Sequence, residues 1–305
     1  MRAERNVVSE SKIQTIKEIA LKAIVSDDEL MDVLILKGGN ALDIIHKMSG
    51  RGSTDLDFSS KKLYDKEEFE RISKRINELL IIKFEENGFE IVDFEFENYR
   101  ENMEEPLKQF WGGYSFAFKI IETSKFERLS GNIKYVRRNT IPLDKAHKKS
   151  MRIEISPIEF CPDPERHELD DFEVNVYSTT LIAIEKLRAI CQQMKEYASM
   201  VSSIHPRARA RDFFDIHLIL TVTGADLTSE TNLGLIKQVF HVKRVPIEFL
   251  KNLEEYRDFH KGDYNQLRDT LKPGTTLLDF DVYFDFVKLL SEKITNLLDK
   301  KVSIA

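Results

Sequence analysis

The sequence predicts an α+β chain in which a lobe of strands and helices is followed by a lobe of helices alone. Three observations carry this. Short apolar runs alternate with amphipathic stretches as far as residue 176. From Tyr177 onward the periodic segments have helical spacing, with turn signals such as Thr223-Gly224-Ala225-Asp226 between them. The 305 residues are enough for two domains, each with its own core, and the expected division is 1–176 and 177–305.

Taken in order, residues 9–25 predict a helix, with Ile13, Ile16, Ile19 and Ala20 as its apolar stripe and Ser9 or Ser11 as its cap. Residues 33–36 are a short apolar run that reads as a buried strand; Lys37-Gly38-Gly39-Asn40 ends it and a short helix over 41–48 follows. The loop Ser49-Gly50-Arg51-Gly52-Ser53 leads to a strand at 54–59. A long amphipathic helix covers 66–87, and 89–97 alternates apolar and acidic residues at period two. Further strands are expected at 114–121 and 152–160, and helices at 178–194, 208–223, 246–260 and 280–298.

Composition narrows the function. The 46 Lys and Arg against 52 Asp and Glu leave a formal net charge of −6, which argues against a general coat for nucleic acid but leaves room for a local basic groove. Cys161 and Cys191 are too few for a disulfide framework or a cysteine zinc site. Residues 1–12 lack the apolar stretch of a secretory signal, and no run reaches the length of a membrane span. The expectation is a cytoplasmic protein with no membrane partner.

Three segments carry chemistry. Gly38-Gly39, between a strand and a helix, lets backbone N–H groups approach an anion closely, although strand-to-helix turns also use glycine for geometry alone. No GxxxxGK[ST] loop occurs. In Ser53-Thr54-Asp55-Leu56-Asp57-Phe58 the two aspartates share one strand face while Leu56 and Phe58 face the core. Adjacent carboxylates repel, and a divalent cation relieves that conflict; oxygen-only ligands suit Mg²⁺ or Mn²⁺. The plain alternative is a solvated sheet edge. Glu154, facing away from Ile153 and Ile155, is the expected third ligand, with Glu95 and Glu97 as rivals. In the third segment, Lys186 has Ile182, Ala183, Ala189 and Ile190 as its helix neighbours, so it must snorkel or meet an anion. Downstream, Arg211, Asp212 and Asp215 can converge on one helix face. Asp215 would orient Lys186 or act as a base, unless the cluster is an ordinary intrahelical salt bridge.

Together these segments resemble the AbiEii/AbiGii-type nucleotidyltransferase toxins of abortive phage infection and toxin–antitoxin loci. The resemblance rests on Lys-Gly-Gly-Asn-Ala-Leu at 37–42, Arg-Gly-Ser-Thr-Asp-Leu-Asp-Phe at 51–58, Glu-Lys-Leu-Arg-Ala at 185–189 and Arg-Asp-Phe-Phe-Asp at 211–215, in that order. It implies a polymerase-β-like nucleotidyltransferase lobe with a mixed sheet, closed by an all-helical lobe. It also implies NTP as substrate and a cognate antitoxin as partner. Asp55 and Asp57 map onto the metal pair, and Lys186 and Asp215 onto the helical-lobe motifs tied to nucleotide binding and catalysis. Lys37, Gly38, Gly39, Asn40, Ser53, Lys186 and Arg211 become the nucleotide-binding candidates, although Asn40 departs from the small hydroxyl residue usual at its place. Some members of the family modify the acceptor end of tRNA, and others are known as guanine-nucleotide binders.

For an RNA acceptor, with tRNA the expected one, the candidates are Arg137, Arg138, Lys148 and Lys149 in the basic stretch 137–152, which also holds Lys145 and Arg152, and Arg207 and Arg209 where the helix at 208 opens. A solvated loop and the beginning of a helix are the plain readings. Trp111 and Tyr114 offer rings that could stack on a base, but on a strand next to Gly112-Gly113 they are expected in the core. Two other functions fit the same motifs: transfer to a small molecule or protein, and a catalytically silent nucleotide-binding module.

Overall fold

A computed structural model describes residues 9–48, 50–144, 147–201 and 205–302. Helix α1 (Glu10–Val25) begins at Ser9, whose hydroxyl accepts from the Lys12 N–H, and buries Ile16, Ile19, Ala20 and Ile24. A short helix α2 (Asp28–Val33), capped by the Asp27 carboxylate, was not apparent in the periodicity because six residues are too few to show one. Strand β1 (Leu34–Lys37) runs directly into α3 (Gly38–Asn40) and a π-helical turn, Ala41–Ile45. Then come β2 (Leu56–Ser60), α4 (Lys66–Glu85), β3 (Phe89–Asn98) and β4 (Tyr114–Glu122). Asp65 and Glu68 close α4 with a reciprocal capping box. Two short helices, α5 (Thr123–Leu129) and α6 (Ile133–Arg138), precede β5 (Ser150–Ser156) and the hairpin β6 (Glu165–Leu169) and β7 (Phe172–Val176).

The seven strands form one mixed sheet in the order β3-β4-β5-β2-β1-β7-β6. β1 pairs antiparallel with β2 and parallel with β7, and β2 pairs parallel with β5. The hairpin β6–β7 was missed in the sequence because its outer strand, Glu-Arg-His-Glu-Leu, is mostly exposed and so lacks apolar alternation. Leu56, Phe58, Ile153 and Ile155 are fully buried beneath the sheet, as the alternation requires. Phe69 of α4 stacks on Tyr114 at 4.8 Å and tilts against Phe116.

Beyond β7 the described residues form helices: α7 (Thr179–Cys191), α8 (Lys195–Met200), α9 (Ala210–Thr223), α10 (Glu230–Val242), a 3₁₀ segment over Ile247–Tyr256, α11 (Arg257–Lys261), α12 (Tyr264–Thr270) and α13 (Phe280–Val302). Phe213 of α9 stacks on Phe284 of α13 at 5.1 Å. Backbone bonds join the helical part to the loop before β2. Gly52 N–H donates to the Thr270 carbonyl at 2.8 Å and Lys272 N–H to that of Gly50 at 3.0 Å, flanking a bridge between Arg51 and Leu271.

Candidate active site

The sheet register places one row of polar residues across adjacent strands. Lys37 of β1 lies opposite Asp57 of β2, which lies opposite Glu154 of β5. Residues in such a row share a face, so Asp57 and Glu154 project together, away from the core. Asp55 sits just before β2 begins. Glu95 and Glu97 belong to β3, three strands from β2 and so about 14 Å away at ordinary strand spacing, which removes them as rivals.

The glycine pair is required by this geometry. Gly38 has φ +70°, a conformation that penalises any side chain, and a Cβ there would meet Asp57 Oδ2 at 2.7 Å. A Cβ on Gly39 would lie 3.0 Å from the Ser53 Cβ and 3.1 Å from its Oγ. The turn backbone therefore packs against both Ser53 and Asp57. Asn40 faces inward, fully buried: its Nδ2 donates to the Asp55 carbonyl at 2.7 Å and its Oδ1 accepts from Lys17 at 3.1 Å. Its side chain fixes the Asp55 loop from beneath and does not project from the turn.

Burial and the neighbouring Glu154 and Asp55 push the Asp57 carboxyl up to about 7, against the opposing pull of Lys37 and Lys186. Asp55 is bridged by Lys148, whose Nζ lies 2.7 and 2.9 Å from its two oxygens. Expected among acceptor contacts, this lysine instead sits on a candidate metal ligand. Asp55 and Glu154 both act electrostatically on Asp57, so three carboxylates lie near one another with an excess of negative charge, and an ammonium already rests on Asp55. The set suits a hard divalent cation.

From the helical side, Lys186 of α7 is 8% exposed, and its Nζ pairs with Asp212 at 2.9 Å and Asp215 at 2.7 Å, both on α9. Burial opposes the lysine's charge, but the two aspartates outweigh it and hold the proton more tightly than usual. The anion met by this lysine is thus supplied by the protein. Asp215 also receives Arg51 in a two-pronged bond, Nε to Oδ1 at 2.9 Å and Nη2 to Oδ2 at 2.6 Å. Burial works against its charge, yet Arg51 and Lys186 hold it below the usual carboxylate range. An oxygen pair so engaged is a poor base. The helix partner expected for Asp215, Arg211, is not in this cluster. It forms no ion pair among the described residues, its Nε is buried without a hydrogen-bond partner, and burial and the nearby Arg51 disfavour its charge. An anion would relieve both.

A second buried cluster lies behind Lys37. Its Nζ is 3.2 Å from Glu159 and 3.8 Å from Glu185; Glu159 also takes Lys243 at 3.2 Å and Arg188 at 3.4 Å. The Lys37 ammonium is therefore engaged inward. Sequence reading missed Arg51, Glu159 and Lys243 as site residues, and only Arg51 had a visible signal, in the Arg-Gly-Ser-Thr-Asp run. The basic stretch is not one free patch. Arg137 is locked onto Asp93, and Lys149 donates to the Arg138 carbonyl at 2.7 Å. Arg138, Arg152 and Arg207 are exposed, Lys149 is half-buried, and Arg209 reaches Asp212 at 3.5 Å. Lys145 lies outside the described residues, as does Ser49.

A family model described as nucleotidyl transferase AbiEii toxin, type IV toxin–antitoxin system, matches residues 19–286. The chain belongs to the AbiEii nucleotidyltransferase toxin family. It is a nucleotidyltransferase, and the mixed sheet with its helices has counterparts among solved toxins. MenT4, a nucleotidyltransferase toxin from Mycobacterium tuberculosis H37Rv, shares the fold at TM-score 0.51 and 14% identity, over 93% of this chain and 83% of that one. JHP933 from Helicobacter pylori aligns at TM-score 0.48 and 17% identity over 98% of both chains. A putative nucleotidyltransferase from H. pylori aligns at 0.49 and 18%, over 96% and 98%. No curated protein sequence matches significantly. Among the described residues, no helix of this AbiEii-family chain is long and apolar enough to cross a membrane.

Proposed function

We propose that this toxin transfers a nucleotide from an NTP to RNA, with tRNA the leading acceptor, in a metal-dependent reaction between lobes 1–176 and 177–305, within a toxin–antitoxin or phage-defence system of the cytoplasm. The observation that carries the reading is the convergence of Asp57 and Glu154, one cross-strand pair, with the Gly38–Gly39 turn. Asp55, Asp57 and Glu154 would hold Mg²⁺ or Mn²⁺, which when bound neutralises phosphate charge and polarises the attacking hydroxyl. The turn backbone at Gly38 and Gly39 receives the triphosphate, with the Ser53 hydroxyl beside it. Arg211 brings a cation without an ion pair to the same anion. Lys186 has three N–H donors; two are held by Asp212 and Asp215, and the third is left for a phosphate oxygen. The acceptor hydroxyl oxygen bonds the α-phosphorus and releases its proton to solvent, the bridging bond from the α-phosphorus to the β-phosphate oxygen breaks, and pyrophosphate leaves. Arg138, Lys149, Arg152 and Arg207 supply the phosphate contacts for RNA, and the acidic remainder of the surface disfavours docking elsewhere. A cognate antitoxin restrains the activity.

The test is label transfer from each of the four α-labelled NTPs to total cellular RNA, with Mg²⁺ and with chelator. Labelled RNA that disappears with chelator and in Asp57→Ala is the expected result. Arg138→Glu with Lys149→Glu should weaken transfer several-fold and lower the salt slope by roughly one unit per lost phosphate contact. Label on protein or a small molecule with none on RNA would overturn the acceptor, and chelator-resistant transfer would overturn the metal.

A further inference from the structure

At the opposite end of the sheet from β3, three side chains that the transfer reaction does not use meet around a common point. Glu165 and His167, two apart on edge strand β6, share a face. His46 follows the π-helical turn beyond the glycine pair. One ring nitrogen of each histidine and one Glu165 oxygen all lie within 4.8 Å of one another. The His46 and His167 rings meet edge to face at 5.4 Å between centroids, and His167 Nε2 is 3.2 Å from Glu165 Oε2.

The setting of His46 separates this group from a chance surface contact. Its Nε2 is 2.8 Å from the Tyr177 carbonyl. A carbonyl only accepts, so Nε2 carries the hydrogen and Nδ1 keeps its lone pair. A ring held this way by a backbone carbonyl is the usual support of a metal-ligating histidine. From these observations we infer that His46, Glu165 and His167 form a second metal site, one for a transition-metal divalent cation of the zinc class. Two imidazoles and one carboxylate suit such an ion and not Mg²⁺. Tetrahedral bonds of about 2.0–2.1 Å place ligand atoms roughly 3.3 Å apart, so separations of up to 4.8 Å must close by at most about 1.5 Å. Glu165 is exposed on an edge strand and free to make that shift, and solvent fills the remaining position. β6 is three strands from β2, about 14 Å at ordinary strand spacing, so the site is separate from Asp55 and Asp57. Its structural effect follows from its ligands: the ion ties the sheet edge to the helix that leaves the Gly38–Gly39 turn, beside Tyr177, where the chain passes from sheet to helices.

The experiment uses the full chain, freed of metal and held in millimolar Mg²⁺ to occupy the carboxylate site. Co²⁺ is titrated by visible absorption and displaced by Zn²⁺. One equivalent of Co²⁺ should bind with the absorption of a nitrogen-containing low-coordinate site, and Zn²⁺ should displace it and raise the melting temperature. Glu165→Gln, on the exposed strand and harmless to folding, should weaken binding at least about tenfold, and His167→Gln should do the same. Asp57→Asn should leave it unchanged. Absence of saturable Co²⁺ binding, or equal binding by the wild type and both variants, overturns the inference.

Discussion

Replacing Asp215 with alanine removes the one carboxylate that serves both Arg51 and Lys186. Asp215 is 2% exposed, and three donor contacts of 2.6–2.9 Å converge on its oxygens. Without it, two buried cations face each other with only the Asp212 carboxylate of this cluster to offset them both. Breaking a buried pair in this way costs about 3–5 kcal/mol, which at roughly 2 °C per kcal/mol for a chain of this size lowers the melting temperature by about 6–10 °C. Arg51→Met is milder, since Asp215 keeps Lys186; the loss of its charged hydrogen bonds costs about 1.5–3 kcal/mol. The two changes are coupled with a reversal of sign. In the Asp215→Ala background, Arg51→Met removes a buried charge that has lost its two-pronged carboxylate bond, together with its repulsion of Lys186, so the double variant is more stable than Asp215→Ala. Thermal and urea unfolding of the four proteins measure this directly, without reference to catalysis. A double variant whose loss equals the sum of the two single losses would refute the coupling, as would an Asp215→Ala protein within about 1 kcal/mol of wild type.

The pH dependence turns on Asp57. Its carboxyl is pushed up to about 7 in the fold, so the folded state binds the proton more tightly than the unfolded chain does; this favours folding at low pH and the advantage is lost as pH rises through about 7. In chelator, Asp57→Asn should therefore be more stable than wild type at pH 8, by on the order of 2–4 kcal/mol, and added Mg²⁺ should stabilise only the wild type; superimposable stability–pH curves would exclude the crowded-carboxylate account. Gly38→Ala forces a Cβ into a left-handed backbone, at about 1–2 kcal/mol, and onto Asp57 Oδ2, so nucleotide transfer should fall by at least about tenfold; a rate within about twofold of wild type would show that the turn tolerates displacement. Lys148→Ala removes the ammonium that competes for Asp55. Because both partners are about a third exposed, the half-saturating Mg²⁺ concentration should drop only about two- to fivefold, whereas a rise would mean that the lysine serves the bound substrate.

Local pattern was enough for much of this protein. Apolar runs and helical periods, read with residue chemistry, located β1, β2, α4, α7 and α9, and the alternation in Asp55-Leu56-Asp57-Phe58 already separated a polar face from a buried one. Glycine 38 and 39 were legible because few other residues tolerate such a turn. The exposed hairpin β6–β7 was not, since an outer strand with little buried surface has no reason to alternate. What the fold alone decided are pairings across long sequence distances. Nothing local says that Asp57 will lie in register with Glu154, and that follows from β5 pairing parallel to β2. Lys186 on its apolar helix face signalled an anion, but whether that anion is a nucleotide or a neighbour depends on how α9 packs against α7; the packing supplies Asp212 and Asp215. Arg51, rather than the nearby Arg211, reaches Asp215 because the 270–275 segment pins the Arg51 loop through backbone hydrogen bonds. Such bonds are indifferent to side-chain identity, so the residues that make them leave no pattern in the sequence.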